Sequence, residues 1–316
     1  MKSKTAVINN GLVHYQKKSF WRRFLNDYQL TLMLLPGLAY FIIFKYLPIY
    51  GIRIAFTNYK GGAMTNAKFV GFKWFIQFFN SYFFPRLLGN TLRISLLTLL
   101  FSFPVPIIFA LLLNEVKCAP YKKVVQTVSY LPHFISTVVV ISILRLALST
   151  QSGVVNVLLM RSGRPQIDFF NESKWFLPMY IGTDVWQTFG WNSIIYFAAL
   201  SNVDLQLYEA SYIDGANRWQ QLIHITLPCI VPTIIILLLM QLGKMMTVGY
   251  DKILLMYNPG IYDVSDVFST YVYRRGILSA DYGFSTAVDL FNSIANVIIL
   301  LIFNTISRRT SEVSLW

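Results

Sequence analysis

The chain has 316 residues, of which 55% are hydrophobic and only 13% are charged, with 27 Lys and Arg against 14 Asp and Glu. Soluble domains carry about 25% charged residues, and disordered chains have low hydrophobicity. The composition therefore excludes a typical soluble enzyme and a disordered protein, and it predicts an all-α polytopic membrane protein. The net charge of +13 fits basic residues that flank membrane spans, and no basic stripe with stacking aromatic residues indicates nucleic-acid binding.

Six segments are long and apolar enough to cross a bilayer core of ~30 Å as helices. They are residues 30–50, 94–113, 124–144, 176–200, 229–248 and 287–306. Lys and Arg are divided almost equally between the loops on the two sides, so the orientation rests on the first span, which usually dominates. The basic residues that precede this span predict that both termini are cytoplasmic: Lys2, Lys4, Lys17, Lys18, Arg22 and Arg23.

The sequence predicts two parts, a cytoplasmic N-terminal tail of residues 1–28 and a transmembrane domain of residues 29–316. Within the tail, residues 12–28 interleave aromatic side chains with Lys and Arg. This pattern predicts an amphipathic helix that lies on the cytoplasmic membrane surface, with its cations toward anionic lipid. A simple basic flank is the alternative.

A cytoplasmic loop of residues 201–228 joins the fourth and fifth predicted spans. Apolar side chains recur in it at helical spacing, and they are Leu205, Tyr208, Tyr212, Ala216 and Trp219. Gly215 interrupts this pattern, at a point where a bend is cheapest. Pro228 disfavours a helical Leu227, so the unit is predicted to end there. The loop is therefore predicted to be a helix–Gly–helix unit whose apolar face is covered by a partner protein.

The spacing of particular residues in this loop is more specific than its amphipathic pattern. Glu209-Ala210-Ser211 is followed after three residues by Gly215, after nine more by Ile225, and after one more by Leu227-Pro228. This spacing resembles the EAA loop of bacterial ABC-importer permeases, with Ser211 at a position where Ala is common.

The resemblance implies that the loop is a coupling helix seated in a groove of an ATPase subunit. Glu209, Ala210, Asp214 and Gly215 would form the core of that contact, with Glu209 paired to a basic group on the ATPase. Gly215 would set the bend, and Leu227-Pro228 would close the unit. An ordinary amphipathic cytoplasmic loop is the alternative.

Other short motifs narrow the resemblance. Three of them resemble the carbohydrate-uptake branch, similar to maltose-transporter permeases: Asn90-Thr91-Leu92, Gly190-Trp191-Asn192-Ser193 and Ser307-Arg308-Arg309. Four more resemble the poly- and oligosaccharide subgroup, which includes an alginate-oligosaccharide importer: Tyr257-Asn258-Pro259, Asp266-Val267, Tyr271-Val272-Tyr273-Arg274 and Ser314-Leu315-Trp316. The likeness covers about residues 28–316 and implies the transmembrane fold of a type I ABC importer.

The partners follow from the same resemblance. It implies a homologous second permease, two ATPase subunits, an extracytoplasmic (periplasmic) solute-binding protein and an oligosaccharide substrate, all working at the bacterial cytoplasmic (inner) membrane by alternating access. The sequence contains no GxxxxGK[ST], HExxH or nucleophile-elbow motif, so this subunit is expected not to be an enzyme. It is expected to hold no cofactor, with ATP and Mg bound by the ATPase subunits. Its two Cys and three widely spaced His predict no metal site.

Polar side chains within the predicted spans are the candidates for a substrate path. Ionisable residues at membrane depth are costly and by default suggest function, and Asp184 and Lys244 lie deepest. Their spans also contain aromatic and amide side chains that suit stacking on a sugar ring and bonding to its hydroxyls: Trp186, Gln187, Trp191, Asn192 and Gln241. Polar contacts between helices are the alternative.

The predicted outer loops, residues 51–89, 149–175 and 249–286, contain eleven basic and six acidic residues, a net charge of +5. A positive surface attracts an acidic substrate, such as a uronate (alginate) oligosaccharide, or equally an acidic binding protein that delivers a neutral sugar. Two other functions stay open, an ABC permease for a non-sugar solute and an ion-coupled secondary transporter. The latter predicts internal repeats and paired broken helices, which the sequence does not show.

Overall fold

The computed structural model describes residues 4–9, 12–17, 28–63, 66–311 and 314. Contacts divide the chain into two units, Met1–Ile54 and Ala55–Trp316. In the first unit, strands β1 (Lys4–Asn9) and β2 (Leu12–Lys17) pair antiparallel with Asn9 opposite Leu12. Helix α1 (Tyr28–Phe41) follows and continues through a π turn (Ile42–Tyr46) into a 3-10 segment (Leu47–Phe56).

The hairpin corrects the prediction of an interfacial helix. Leu12–Lys17 forms a strand, so the predicted helix of residues 12–28 is wrong over this segment. The strands are separated by Asn10-Gly11, and Asn-Gly is the dipeptide preferred in two-residue hairpin loops. The prediction rested on the aromatic and basic pattern alone and did not take this turn signal into account. Residues 18–27 lie outside the described residues, so a helix there stays a prediction.

The second unit is helical in its described part, apart from an isolated bridge between Thr57 and Phe69. Its first half contains α2 (Lys73–Phe79), α3 (Phe83–Ser102), α4 (Pro104–Asn114), α5 (Ala119–Tyr130), a 3-10 turn (Leu131–Phe134), α6 (Thr137–Leu148), α7 (Val154–Arg161) and α8 (Ser173–Ser201). Its second half contains α9 (Leu205–Ile213), α10 (Arg218–Gln221), a π turn (Leu222–Thr226), α11 (Leu227–Leu242), α12 (Tyr250–Met256), a 3-10 turn (Pro259–Ile261), α13 (Tyr262–Ser265), α14 (Phe268–Val272), a π turn (Tyr273–Leu278) and α15 (Tyr282–Ser311).

Four helices of the described residues are long and apolar enough to cross a membrane: Tyr28–Phe56, Phe83–Asn114, Arg218–Leu242 and Tyr282–Arg309. The pair Ala119–Phe134 and Thr137–Leu148 would be a fifth span if it counts as one. The remaining predicted span, residues 176–200, lies in α8, whose 29 residues extend about 44 Å. Helix α8 is long enough to span a membrane, but it is not one of the four helices that are also sufficiently apolar, because its centre is polar.

The third predicted span, residues 124–144, is not one continuous helix. Its two halves, α5 with the 3-10 turn and α6, meet at an angle of 93°. Ile135 and Ser136 adopt extended backbone conformations, and the Ser136 hydroxyl accepts a hydrogen bond from the backbone N–H of Val139. Pro132 lies in the turn just before them and has no N–H to donate. The proline and the serine cap together explain the break.

The fifth predicted span, residues 229–248, is displaced toward the N-terminus. The helix already begins at Arg218 and passes through Leu227 and Pro228, so the prediction that the loop unit ends at this dipeptide is wrong. The preceding π turn, in which the N–H of Leu227 donates to the carbonyl of Leu222, widens the helix and accommodates the proline. Helix α11 ends at Leu242, so Lys244 lies in the following turn and not inside the span.

Three of the motifs that indicated a sugar-uptake permease, those containing Asn90, Asp266 and Arg274, meet in the fold. The Asn90 side chain donates to the carbonyl of Asp266 at 3.0 Å. The Asp266 carboxylate is buried and forms an ion pair with Arg274 at 2.5 Å. The Asn258 amide donates to the carbonyl of Phe170 at 2.8 Å. Asn90 therefore fastens the 249–286 loop to α3, the Asp266–Arg274 pair ties the loop to itself, and Asn258 ties it to the segment before α8. The role of these residues in the described structure is architectural.

Candidate substrate path and coupling loop

The loop of residues 201–228 forms the predicted helix–Gly–helix unit, which confirms this part of the prediction. Asp204 caps the start of helix α9, and its carboxylate accepts the N–H of Gln206 at 2.9 Å. Gly215 then adopts a φ of +79°, in the left-handed region that residues with a Cβ rarely enter. Helix α10 starts with a capping box in which Asn217 and Gln220 exchange hydrogen bonds of 2.8 and 2.9 Å.

The solvent-exposed face of this unit carries residues of the EAA-like motif. Glu209, Ala210, Asp214 and Gly215 are exposed. Large apolar side chains lie beside them, namely Leu205, Tyr212, Ile213 and Trp219, with exposed fractions between 67% and 84%. Tyr208 and Ala216 of the predicted apolar stripe are instead half-buried. The exposed face thus combines carboxylates with apolar groups, a composition suited to a protein partner.

The inward surface of the unit is tied together by side-chain hydrogen bonds. The Gln221 amide donates to the Ser211 hydroxyl at 3.0 Å, and that hydroxyl donates to the carbonyl of Tyr208 at 2.8 Å. The Tyr208 hydroxyl bonds with the hydroxyl of Thr226 at 2.9 Å. These contacts join α9 to α10 and to the π turn that leads into α11.

The end of the unit is packed into the helix bundle. Ile225 and Leu227 are half-buried and Pro228 is exposed. Leu227 packs against a buried cluster formed by Ala110, Tyr196, Leu200 and Ile230, which belong to α4, α8 and α11. Leu227 therefore connects the end of the loop to three helices of the bundle.

A cavity of about 530 Å³ lies between α3, α8, α11 and the turn that follows α11. Much of its lining consists of hydroxyl, amide and charged side chains: Ser95, Thr98, Ser102, Asp184, Thr188, Asn192, Gln241, Lys244 and Thr247. Four of the seven side chains predicted for the substrate path line it, namely Asp184, Asn192, Gln241 and Lys244. Such a lining offers directional bonds to a ligand rich in hydroxyl groups.

The other three predicted path residues lie away from this cavity. Trp186 lines an apolar groove with residues such as Phe101 and Phe189. The Gln187 amide donates to the carbonyl of Ile135 at 2.7 Å and so satisfies the backbone at the helix break. Trp191 stacks on His133, with ring centroids 4.6 Å apart. The prediction grouped these residues by span, whereas a helix sorts them by face.

Asp184 is the centre of a polar cluster at the cavity wall. The Ser102 hydroxyl donates to its Oδ2 at 2.8 Å, and the Lys252 ammonium lies 3.6 Å from its Oδ1. The side chain of Lys252 is only 8% exposed, and its Nζ lies 4.8 Å from the ring centroid of Tyr180. Burial lowers the pKa of Lys252 to about 8, an effect that the nearby Asp184 carboxylate opposes.

Sequence reasoning missed Lys252 and Ser102. Lys252 belongs to the 249–286 loop and carries no local signal that distinguishes it from a surface charge. Thr188 could have been found, because Asp184, Thr188 and Asn192 follow one another at intervals of four residues, which places them on one face of a helix.

A family model described as the inner membrane component of binding-protein-dependent transport systems matches residues 102–312. The chain belongs to this family. Two relatives from Bacillus subtilis (strain 168) agree with it over nearly their whole length. Protein LplB is 43% identical over 291 residues, which cover 92% of either chain. The polygalacturonan/rhamnogalacturonan transport system permease protein YteP is 40% identical over 298 residues, covering 94% of this chain and 93% of YteP.

Two solved structures are similar to this member of the family over nearly the whole chain. One is a bacterial ABC transporter involved in import of the acidic polysaccharide alginate, with a TM-score of 0.85 at 43% identity and coverage of 92% and 99% of the two chains. The other is a bacterial alginate ABC transporter in complex with an alginate pentasaccharide-bound periplasmic protein, with a TM-score of 0.86 at 42% identity and coverage of 94% and 99%. The fold is thus that of an ABC-importer permease.

Proposed function

We propose that this chain is a permease subunit of a sugar ABC importer and that its substrate is an acidic oligosaccharide. The observation that carries the proposal is the polar cavity, whose hydroxyl and amide lining suits sugar hydroxyls. Its volume lies within the range of small-molecule sites. The substrates in the names of the similar proteins, polygalacturonan, rhamnogalacturonan and alginate, support an acidic sugar.

The chain acts with other subunits in this proposal. A homologous second permease completes the path, and a loaded solute-binding protein docks on the outer loops of residues 51–89 and 249–286. The complex with a sugar-loaded periplasmic protein in a similar transporter supports this docking. Two ATPase subunits bind ATP and Mg and hydrolyse the nucleotide. This chain holds no cofactor and catalyses no reaction, and it sits in the cytoplasmic membrane.

The coupling loop converts closure of the ATPase subunits into movement of the helices. Glu209 pairs with a basic group of the ATPase subunit, and the exposed apolar side chains around Glu209 enter a groove on that subunit. The Tyr208–Thr226 hydrogen bond and the packing of Leu227 pass the movement into α11. Because α11 forms one wall of the cavity, the loop can switch the cavity between outward and inward access.

Crosslinking tests the coupling contact. Ala210 is exposed, so we expect Ala210→Cys, in a chain whose exposed Cys118 and Cys229 are replaced, to form an adduct with the ATPase subunit that mass spectrometry identifies. Gln166→Cys is the matched control, because it is equally exposed but lies in an outer loop. Labelling of residue 210 from outside, or a transporting variant that captures no ATPase, would contradict the proposed topology and coupling.

Uptake by proteoliposomes tests the energy source and the substrate. The purified importer, with its partner permease, ATPases and binding protein, is expected to accumulate tetragalacturonate only when the ATPase side has access to ATP. Accumulation driven by a proton or sodium gradient without ATP would instead indicate a secondary transporter. Uptake of an amino acid or phosphate in preference to the sugar would indicate a non-sugar permease.

A further inference from the structure

The turn that follows α11 is held rigidly between two other helices. On one side the Ser95 hydroxyl of α3 donates to the carbonyl of Met245. On the other side Asn296 of α15 accepts the N–H of Met246 at 2.8 Å and donates to the hydroxyl of Thr247 at 2.7 Å. A Cβ added at Gly243 would approach Leu300 to 3.2 Å, so the backbone lies close to α15 here. The backbone at Lys244 is therefore held in place before any ligand binds.

Two of the side chains that line the cavity are charged, Asp184 and Lys244. The Asp184 carboxylate already has partners, because Ser102 donates to one oxygen and Lys252 lies near the other. Lys244 is exposed and forms no ion pair with any of the described residues. The charge that the cavity leaves available for a ligand is thus a single ammonium group.

We infer that Lys244 is the residue that selects for a negatively charged substrate, by pairing its ammonium with a carboxylate of the sugar. The inference rests on the proposed function and deepens it, since it assigns the preference for acidic sugars to one side chain. A charge-assisted hydrogen bond is shorter and stronger than a neutral one. A fixed backbone also reduces the entropy that Lys244 loses when it binds. The surrounding hydroxyl groups serve acidic and neutral sugars alike.

Two matched sugars and four forms of the complete importer test this assignment. The sugars are tetragalacturonate and its fully methyl-esterified form, which has the same backbone without the charges. We expect Lys244→Gln to raise the half-saturation concentration for ATP-driven uptake of tetragalacturonate about tenfold and to leave uptake of the ester unchanged. Lys244→Arg is expected to retain the preference for the acid. Arg164→Gln, which removes an exposed charge from the 149–175 loop outside the proposed docking surface, is expected to leave it intact.

The outcomes separate the inference from the function on which it rests. An equal loss of uptake for both sugars in Lys244→Gln would make Lys244 a structural residue and would overturn the inference. Unchanged uptake of both sugars would overturn it as well, while the wild-type uptake of tetragalacturonate would still support the proposed function. Wild-type importer that takes up neither sugar would reject the proposed substrate class and the inference with it.

Discussion

The proposed coupling loop, residues 201–228, and the cavity are both rich in hydrogen bonds, but they are assembled over very different sequence distances. In the loop, Ser211 and Gln221 are 10 residues apart, and Tyr208 and Thr226 are 18 apart. In the cavity wall, Ser102 and Asp184 are 82 residues apart, and Ser95 and Met245 are 150 apart. The loop is a local unit, whereas the cavity exists only when several helices are in place.

This difference has an energetic consequence. A hydrogen bond to a charged group contributes about 1.5–3 kcal/mol, whereas a neutral one contributes about 0.5–1.5 kcal/mol. The bond between Ser102 and the Asp184 carboxylate joins α3 to α8 and involves a charged group. The bonds that join α9 to α10 and to the π turn are neutral and only partly buried. We therefore expect changes in the cavity wall to affect the stability of the bundle, and changes in the loop to affect mainly its coupling.

The largest effect is expected at the crossing of α5 and α8. A Cβ at Gly190 would lie 2.0 Å from the carbonyl oxygen of Ser129, which is backbone and cannot turn aside. Overpacking of this kind costs about 3 kcal/mol, so Gly190→Ala should clearly lower the unfolding temperature of the purified importer. Gly182→Ala on the same helix is the control, because nothing lies within 4 Å of its added Cβ. Equal unfolding temperatures for the two variants would refute this close crossing.

A smaller effect is expected from the hydroxyl groups of α3. Ser102→Ala removes the donor to Asp184 and should cost about 2 kcal/mol. Thr98→Val is the matched control: the Thr98 hydroxyl lines the same cavity and is buried, but it has no hydrogen-bond partner among the described residues. Its removal should leave the unfolding temperature unchanged or slightly raised. If Thr98→Val proved the more destabilising of the two, the polar cluster around Asp184 would not hold the wall together.

The local character of the loop explains why it could be predicted from sequence. The residue types and spacings that identify the loop, from Glu209 to Pro228, all lie within a single segment. The glycine at its bend can also be read directly from the sequence. The π turn before Pro228 escaped prediction because proline normally ends a helix. Here the π turn formed by the backbone of Leu222–Thr226 accommodates the proline within a continuous helix.

The cavity could be predicted only in part. The polar residues of α8 are visible in the sequence, but which of them share a face with α3 and α11 depends on how the helices pack. Trp191 and Gln187 lie on another face of α8, where they contact His133 and Ile135 beside the break between α5 and α6. Lys252 reaches Asp184 from a loop that follows α11, and no pattern within either segment indicates that the two meet.

The smallest effect is expected from Ser211→Ala in the coupling loop. The change removes the acceptor of the Gln221 amide, a neutral contact near the surface, and should cost about 0.5 kcal/mol. A double-mutant cycle with Gln221→Ala isolates this contact, because two residues that act only through each other show a non-additive change in unfolding free energy. We expect the cycle to give a small interaction free energy between Ser211 and Gln221. We also expect the number of sugars moved per ATP hydrolysed to fall slightly, because α9 and α10 are less firmly joined. A loss of stability as large as that of Ser102→Ala would mean that the loop belongs to the same cooperative unit as the cavity wall, and the distinction between a local and a distributed region would fail.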